Sequence, residues 1–132
     1  MVDVNQILAE IEEISSVNVC YINGVEMYEV TQLEKRFNYS VRRWMSQPYT
    51  RAYFNSLASV MFLQMNEGNI DNSRSYKMEL LKIKESFAIQ QGNRRWVCRE
   101  VFIGFARWLS PFFAIKCDTF YAPLILDKQN KP

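Results

Sequence analysis

There is no histidine among the 132 residues. That absence removes the imidazole general base, the histidine-activated nucleophile and the commonest nitrogen ligand for metals. Cysteine is scarce. Cys20, Cys98 and Cys117 are odd in number and far apart, so neither a disulfide framework nor a CxxC metal site follows, and buried free thiols are expected. Three cysteines without histidine make no ordinary zinc site. Glycine and proline number four each; no stretch is rich enough in them to mark a linker, and there is no internal repeat. Apolar runs are short and broken by Lys or Arg, so no membrane span is expected. The P-loop, the dinucleotide fingerprint GxGxxG and the nucleophile elbow GxSxG are all missing. Glu12 and Glu13 are adjacent helix positions that point apart and cannot share a substrate. A two-carboxylate site built from distant residues is the enzymatic reading left open. The expectation is a non-enzymatic protein without metal or cofactor.

What is present is a single domain's worth of chain, 48% hydrophobic, long enough for a real core. Its net charge of +2 hides a segregation. Residues 1–30 carry six acids and no Lys or Arg, residues 31–60 five cations and one acid, and residues 91–132 seven cations and three acids. One acidic and one basic face are expected. The acidic start also lacks the basic-then-apolar layout of a signal peptide.

Val4, Ile7, Leu8, Ile11 and Ile14 recur at helical spacing, predicting an amphipathic first helix. Asn23-Gly24 between two β-prone runs, Val17–Ile22 and Val25–Val30, predicts a hairpin on a type I′ turn. Thr31 with Glu34 is in capping-box register for a short helix, broken at Asn38-Tyr39. Ser40 can cap a second short helix, residues 41–47, with Val41, Trp44 and Met45 inward and Arg42 and Arg43 outward; Pro48 ends or kinks it. Thr50 starts a longer helix to about Asn66, with an apolar stripe at Phe54, Leu57, Ala58, Met61, Phe62 and Met65. Residues 67–75 read as a loop. Residues 76–87 are ambiguous: Met78 with Leu80 and Leu81 with Ile83 are period-two pairs on opposite faces, while Met78, Leu81 and Glu85 also fit a helix; a strand is favoured, then a turn at Gln91-Gly92-Asn93 and a short strand at Arg95–Cys98. Arg99 to Leu109 is a helix with Phe102, Phe105, Ala106 and Leu109 inward. Ser110-Pro111 restarts a helix, lined by Phe113, Cys117, Phe120 and Tyr121 and ended by Pro123. Trp44, Phe54, Trp96, Trp108 and Phe113 are expected in the core; Tyr39, Tyr49 and Tyr53 are the aromatics expected to be exposed.

The order of motifs resembles the KilA-N domain, found in bacteriophages and large DNA viruses and related to the fungal APSES DNA-binding domain. The family tends to show a hairpin, an N-x-T-x-L helix start, a W-L segment and a Thr opening a long helix. The matching residues are Glu29-Val30-Thr31-Gln32-Leu33, Trp44-Met45 and Thr50. The second half of the pattern, G-x-W-V-H-P and A-x-W-L-S-P-x-F, corresponds to the run from Gly92 through Trp96-Val97-Cys98-Arg99, and to Ala106-Arg107-Trp108-Leu109-Ser110-Pro111-Phe112-Phe113. The run at 106–114 is the most specific piece, and the resemblance covers residues 17–122. The chain departs from the family at Glu29, where the family has Asn, and at Cys98-Arg99, where it has His-Pro. The resemblance implies an α+β domain: a compact set of helices with a helix-turn-helix-like pair, an N-terminal β-hairpin and a second small hairpin as a wing. It implies DNA binding and no cofactor.

On this reading residues 1–16 are an acidic helix, 17–126 the DNA-binding domain and 127–132 a frayed tail. Lys35, Arg36, Arg42, Arg43 and Arg51, interleaved with Tyr39 and Tyr49, are the candidate DNA contacts, joined by Asn38 and Ser40 in the inter-helix turn. The plainer alternatives are a solvated cationic face and, for Ser40, a cap. Arg94 and Arg95 are either a solvated turn or a wing on a phosphate or in the minor groove. The expected role is a DNA-binding regulator of phage or viral origin, of transcriptional or anti-repressor type, acting on double-stranded DNA in the bacterial host's cytoplasm. The alternative is a protein-interaction module or inhibitor of a host protein, using the basic face or the acidic first helix; homodimerisation is left open.

Overall fold

The structure is a computed structural model that describes residues 3–65 and 74–119. In chain order it has α1 (Val4–Ser15), β1 (Val19–Ile22), β2 (Val25–Glu29), α2 (Thr31–Phe37), α3 (Val41–Met45), α4 (Pro48–Met65), α5 (Arg74–Glu85), β3 (Ala88–Gln91), β4 (Arg94–Cys98) and α6 (Arg99–Leu109), with residues 111–119 again helical. The expected α+β class holds. Two hairpins join into one antiparallel sheet of order β1-β2-β4-β3. Ile22 pairs with Val25 around a turn whose two central residues, Asn23 and Gly24, both have positive φ (53° and 79°), which is the type I′ geometry. The second hairpin closes between Gln91 and Arg94, with positive φ at Gly92, the requirement of a type II′ turn at its first central residue.

The core is built around α6. Its Val101, Phe102, Phe105 and Ala106 are buried. Phe102 stacks on Tyr28 of the sheet, with centroids 4.8 Å apart. On another flank Phe105 meets Trp44 of α3 at 5.6 Å. Phe54 of α4 touches both Trp44 and Phe87. Gly104 lets α3 come this close: a Cβ there would lie 2.8 Å from the Trp44 ring. Met27, Val30, Leu33 and Val97 complete the centre. The first helix docks through Ile14, which is fully buried, and through Glu10, which accepts a 2.6 Å hydrogen bond from the buried Ser110 hydroxyl. Ser110 also accepts from the Phe113 N–H, so the expected cap and restart at Ser110-Pro111 is present.

Four local expectations need correction. Residues 76–87 are helical over most of their length, not a strand. The period-two pairs there compete with Tyr76, Leu80, Ile83 and Phe87, whose spacing of four, three and four puts them on one side against the core. The segment's Lys, Glu, Leu and Met also favour helix. The strand begins only at Ala88. Second, Thr31 does not cap α2: Val30 is the cap residue and makes no side-chain cap bond, while the Thr31 hydroxyl accepts from the Arg95 N–H at 2.9 Å. Third, Pro48 opens α4 rather than ending α3, because the first helical position needs no N–H donor. Fourth, Trp108 is 45% exposed rather than core. Trp44, Phe54, Trp96 and Phe113 are buried as expected. Of the loop expected at 67–75, residues from Arg74 on belong to α5; the rest lies outside the described residues, as do Phe120, Tyr121, Pro123 and the tail 127–132.

Candidate nucleic-acid interface

Asn38 takes the left-handed conformation (φ 51°) that ends α2, one that Asn tolerates better than most residues. Ser40 then caps α3, accepting from the Arg43 N–H at 3.1 Å. Two turns of chain thus set α2 and α3 as a tight pair. With Val41 and Trp44 buried, Arg42 and Arg43 face solvent.

Glu34, the lone acid in this cationic run, ties the pair to the second hairpin. One carboxylate oxygen accepts the Val41 N–H (2.9 Å) and the Arg95 guanidinium (2.8 Å). Arg95 also donates from Nε to Gln90 at 3.1 Å. These bonds hold β3–β4 beside α3 and create a cleft of about 280 Å³ whose walls include Arg42, Ser46, Arg51, Gln90 and Arg95. Three arginines from α3, α4 and β4 converge there. Arg51 donates to the Ser46 carbonyl at 3.1 Å, which steadies its side chain at the rim.

The other candidates divide into groups. Lys35 and Asn38 are exposed on α2 and its end. Arg43 lies over the Tyr39 ring, 4.7 Å from its centroid. Arg36 is turned toward α1, with Glu13 at 3.3 Å and Glu10 at 3.7 Å. Arg94, at the tip of the second hairpin, is mostly exposed and 3.9 Å from Glu29; the Glu29 carboxylate is otherwise held by the Asn18 amide at 2.8 Å. Lys35, Arg42, Arg43 and Arg51 have no carboxylate partner among the described residues. The N-terminus of α3 is already occupied at two positions, by Glu34 on Val41 and Ser40 on Arg43. Arginine side chains, not free helix N–H groups, are what this face presents.

On the opposite flank of α3 runs a wider groove of about 680 Å³, between the start of α4 and the outer side of α6. Tyr49 is 85% and Tyr53 54% exposed on one wall, and Trp108 stands on the other. Trp108 packs on Tyr39 at 4.5 Å, and the Gln47 amide donates to the Tyr39 hydroxyl at 3.1 Å. Tyr49 and Tyr53 are exposed as the sequence suggested, but Tyr39 is half-buried against the core because Trp108 and Arg43 cover its ring; the groove itself was missed because Trp108 falls on the boundary between the buried and outer stripes of α6. Sequence reasoning also missed the clamp by Glu34, for which the isolated acid amid cations was the available signal.

Among the described residues no group of His, Cys, Asp or Glu side chains is arranged to hold a metal ion, and no helix is long and apolar enough to cross a membrane. No curated protein and no solved structure matches the chain. The model of one domain family does match, over residues 13–125, a span that takes in both hairpins, the α2–α3 pair and α6. It is a family of DNA-binding domains. The chain belongs to the KilA-N domain family.

Proposed function

We propose that the protein binds double-stranded DNA across α3 and the β3–β4 hairpin, as a non-enzymatic regulator of phage or viral origin working in the host cytoplasm. The observation that carries this reading is the cleft in which Arg42 and Arg51 converge with no acid among the described residues to neutralise them, next to a hairpin clamped in place by Glu34. Phosphates are the natural ligands of planar, multidentate guanidinium groups. Lys35 and Arg43 extend the cationic surface along the helical pair, and Arg94 extends it along the wing. Arg95 acts by positioning: its guanidinium is bonded to Glu34 and Gln90. Asn38 and Ser40 shape the turn, and Arg36 braces α1.

The competing reading, a host-protein binder using the acidic first helix, finds less support. Glu10 and Glu13 face Arg36, and Glu10 also takes the Ser110 hydroxyl. The acidic segment therefore has work inside the fold.

Fluorescence anisotropy with a labelled duplex over a salt series tests the proposal. Five cations on phosphate (Lys35, Arg42, Arg43, Arg51, Arg94) give a slope of log K against log salt of about −4 to −5. A flat response, or no binding to any duplex at low salt, overturns it.

A further inference from the structure

The aromatic groove beyond α3 is not needed to grip a duplex backbone. Three features point to its ligand. Its exposed surface is aromatic on both walls, with Tyr49 and Tyr53 on α4 and Trp108 on α6. It shares α3 and the turn after it with the arginine cleft: Trp44 and Gln47 belong to the groove, Arg42 and Ser46 to the cleft. A continuous set of contacts also joins it to the cationic face, from Arg43 over Tyr39 to Trp108 and Gln47. Since α3 has five residues, it is about 7.5 Å long and about 10–12 Å across with its side chains. A strand whose phosphates sit on Arg42 and Arg43 thus passes beside the groove within a nucleotide or two.

We infer that this groove receives an unstacked base of a bound nucleic-acid strand, with the sugar-phosphate chain held by the arginines of α3. Aromatic faces stack on any base, because every base has a π-face. The polar groups at the groove suit a base edge rather than a phosphate. Glu100 offers a carboxylate acceptor for a base N–H, such as the N3–H of thymine or an exocyclic amino group, and Gln47 carries both donor and acceptor. Arg107, which also lines the groove, is engaged by Asp118 at 2.8 Å, so the groove's own charge repels rather than collects phosphates. Charge complementarity thus divides the ligand: backbone on α3, base in the groove. The inference rests on the nucleic-acid reading above and adds to it a site for an unpaired nucleotide.

The test compares three ligands at one salt concentration: a blunt duplex, the same duplex with a four-thymidine single-stranded extension, and the same extension made of abasic sites. The two extensions carry equal charge. The thymidine extension should raise affinity about tenfold over the other two ligands, within the range that one or two stacked bases supply. It should also quench tryptophan emission, since Trp44 and Trp96 are buried and Trp108 is exposed. Trp108→Phe should remove most of that quench. Tyr49→Leu/Tyr53→Leu should bind all three ligands alike and keep a cooperative melt, because leucine retains an apolar contact with Phe54, on which Tyr53 packs at 5.1 Å, but has no π-face to stack on a base. Equal gains from thymidine and abasic extensions, or a gain that survives in the tyrosine variant, overturn the inference while leaving duplex binding standing. A concentration-dependent dimer that the tyrosine variant dissolves also overturns it, by assigning the groove to a second copy. No salt-sensitive binding to any of the three ligands overturns both readings together.

Discussion

Replacing Glu34 with Ala removes one carboxylate from two bonds that join separate parts of the fold. The Val41 N–H at 2.9 Å and the Arg95 guanidinium at 2.8 Å both lose their acceptor. The pair is neither at the surface nor fully enclosed, since the side chains of Arg95 and Glu34 are 23% and 16% exposed. Exposed ion pairs contribute about 0–1 kcal/mol, and breaking a buried one costs about 3–5 kcal/mol. Hydrogen bonds to charged groups fall between, at about 1.5–3 kcal/mol. A loss of about 2–3 kcal/mol is expected for Glu34→Ala, equivalent to roughly 10 °C in Tm for a domain of this size. Arg95→Ala should cost less, about 1–2 kcal/mol, because Glu34 keeps the Val41 N–H. The two substitutions share a bond, so in a double-mutant cycle by urea unfolding they should be non-additive by about 1–2 kcal/mol. If Glu34→Ala unfolds within about 0.5 kcal/mol of the parent, or the two changes simply add, then the clamp between α3 and the second hairpin does not hold them together.

Trp108→Ala should cost about 1–2 kcal/mol, since the ring is half exposed and packs on Tyr39, whereas the fully buried Phe105→Ala should cost about 3–5 kcal/mol; equal losses in thermal melts would return Trp108 to the core. Gly104→Ala should destabilise by about 1–3 kcal/mol despite alanine's better helix propensity, because its Cβ meets Trp44 at 2.8 Å; a stabilised variant would mean that α3 sits further from α6. Burial pushes the Cys98 thiol from 9.0 up to about 11, so at pH 8 native protein should release Cys98 to a thiol reagent far more slowly than the half-buried Cys20 and Cys117. Peptide mapping after labelling checks this, and comparable rates for all three would contradict it.

Where local chemistry dictates geometry, the sequence was a sufficient guide. Asn23-Gly24 made the first hairpin, Ser40 and Ser110 capped as their positions suggested, and the α6 stripe buried Phe102, Phe105 and Ala106. It misled where two periodicities coexist, as at 76–87, where Tyr76, Leu80, Ile83 and Phe87 prevail because α4 offers them a surface. It was also silent on long-range bonds. Thr31 and Glu34 have the spacing of a capping box, yet both turn to Arg95, more than sixty residues away. The candidate site was legible as a cationic run, but not its division. Only the folded chain separates Arg36, facing the acids of α1, and Arg95, facing Glu34, from the cations that lack an acidic partner among the described residues.

The most direct measurement is the salt dependence of duplex binding for the parent and for Arg42→Gln/Arg51→Gln. Both side chains are exposed and line the cleft without a carboxylate partner among the described residues, so the variant should melt as the parent does. Its slope of log K against log salt should be shallower by about two units, since two phosphate contacts are gone. An unchanged slope in a folded variant would contradict the account, because the cleft between α3 and the hairpin would then not be where the DNA backbone is held.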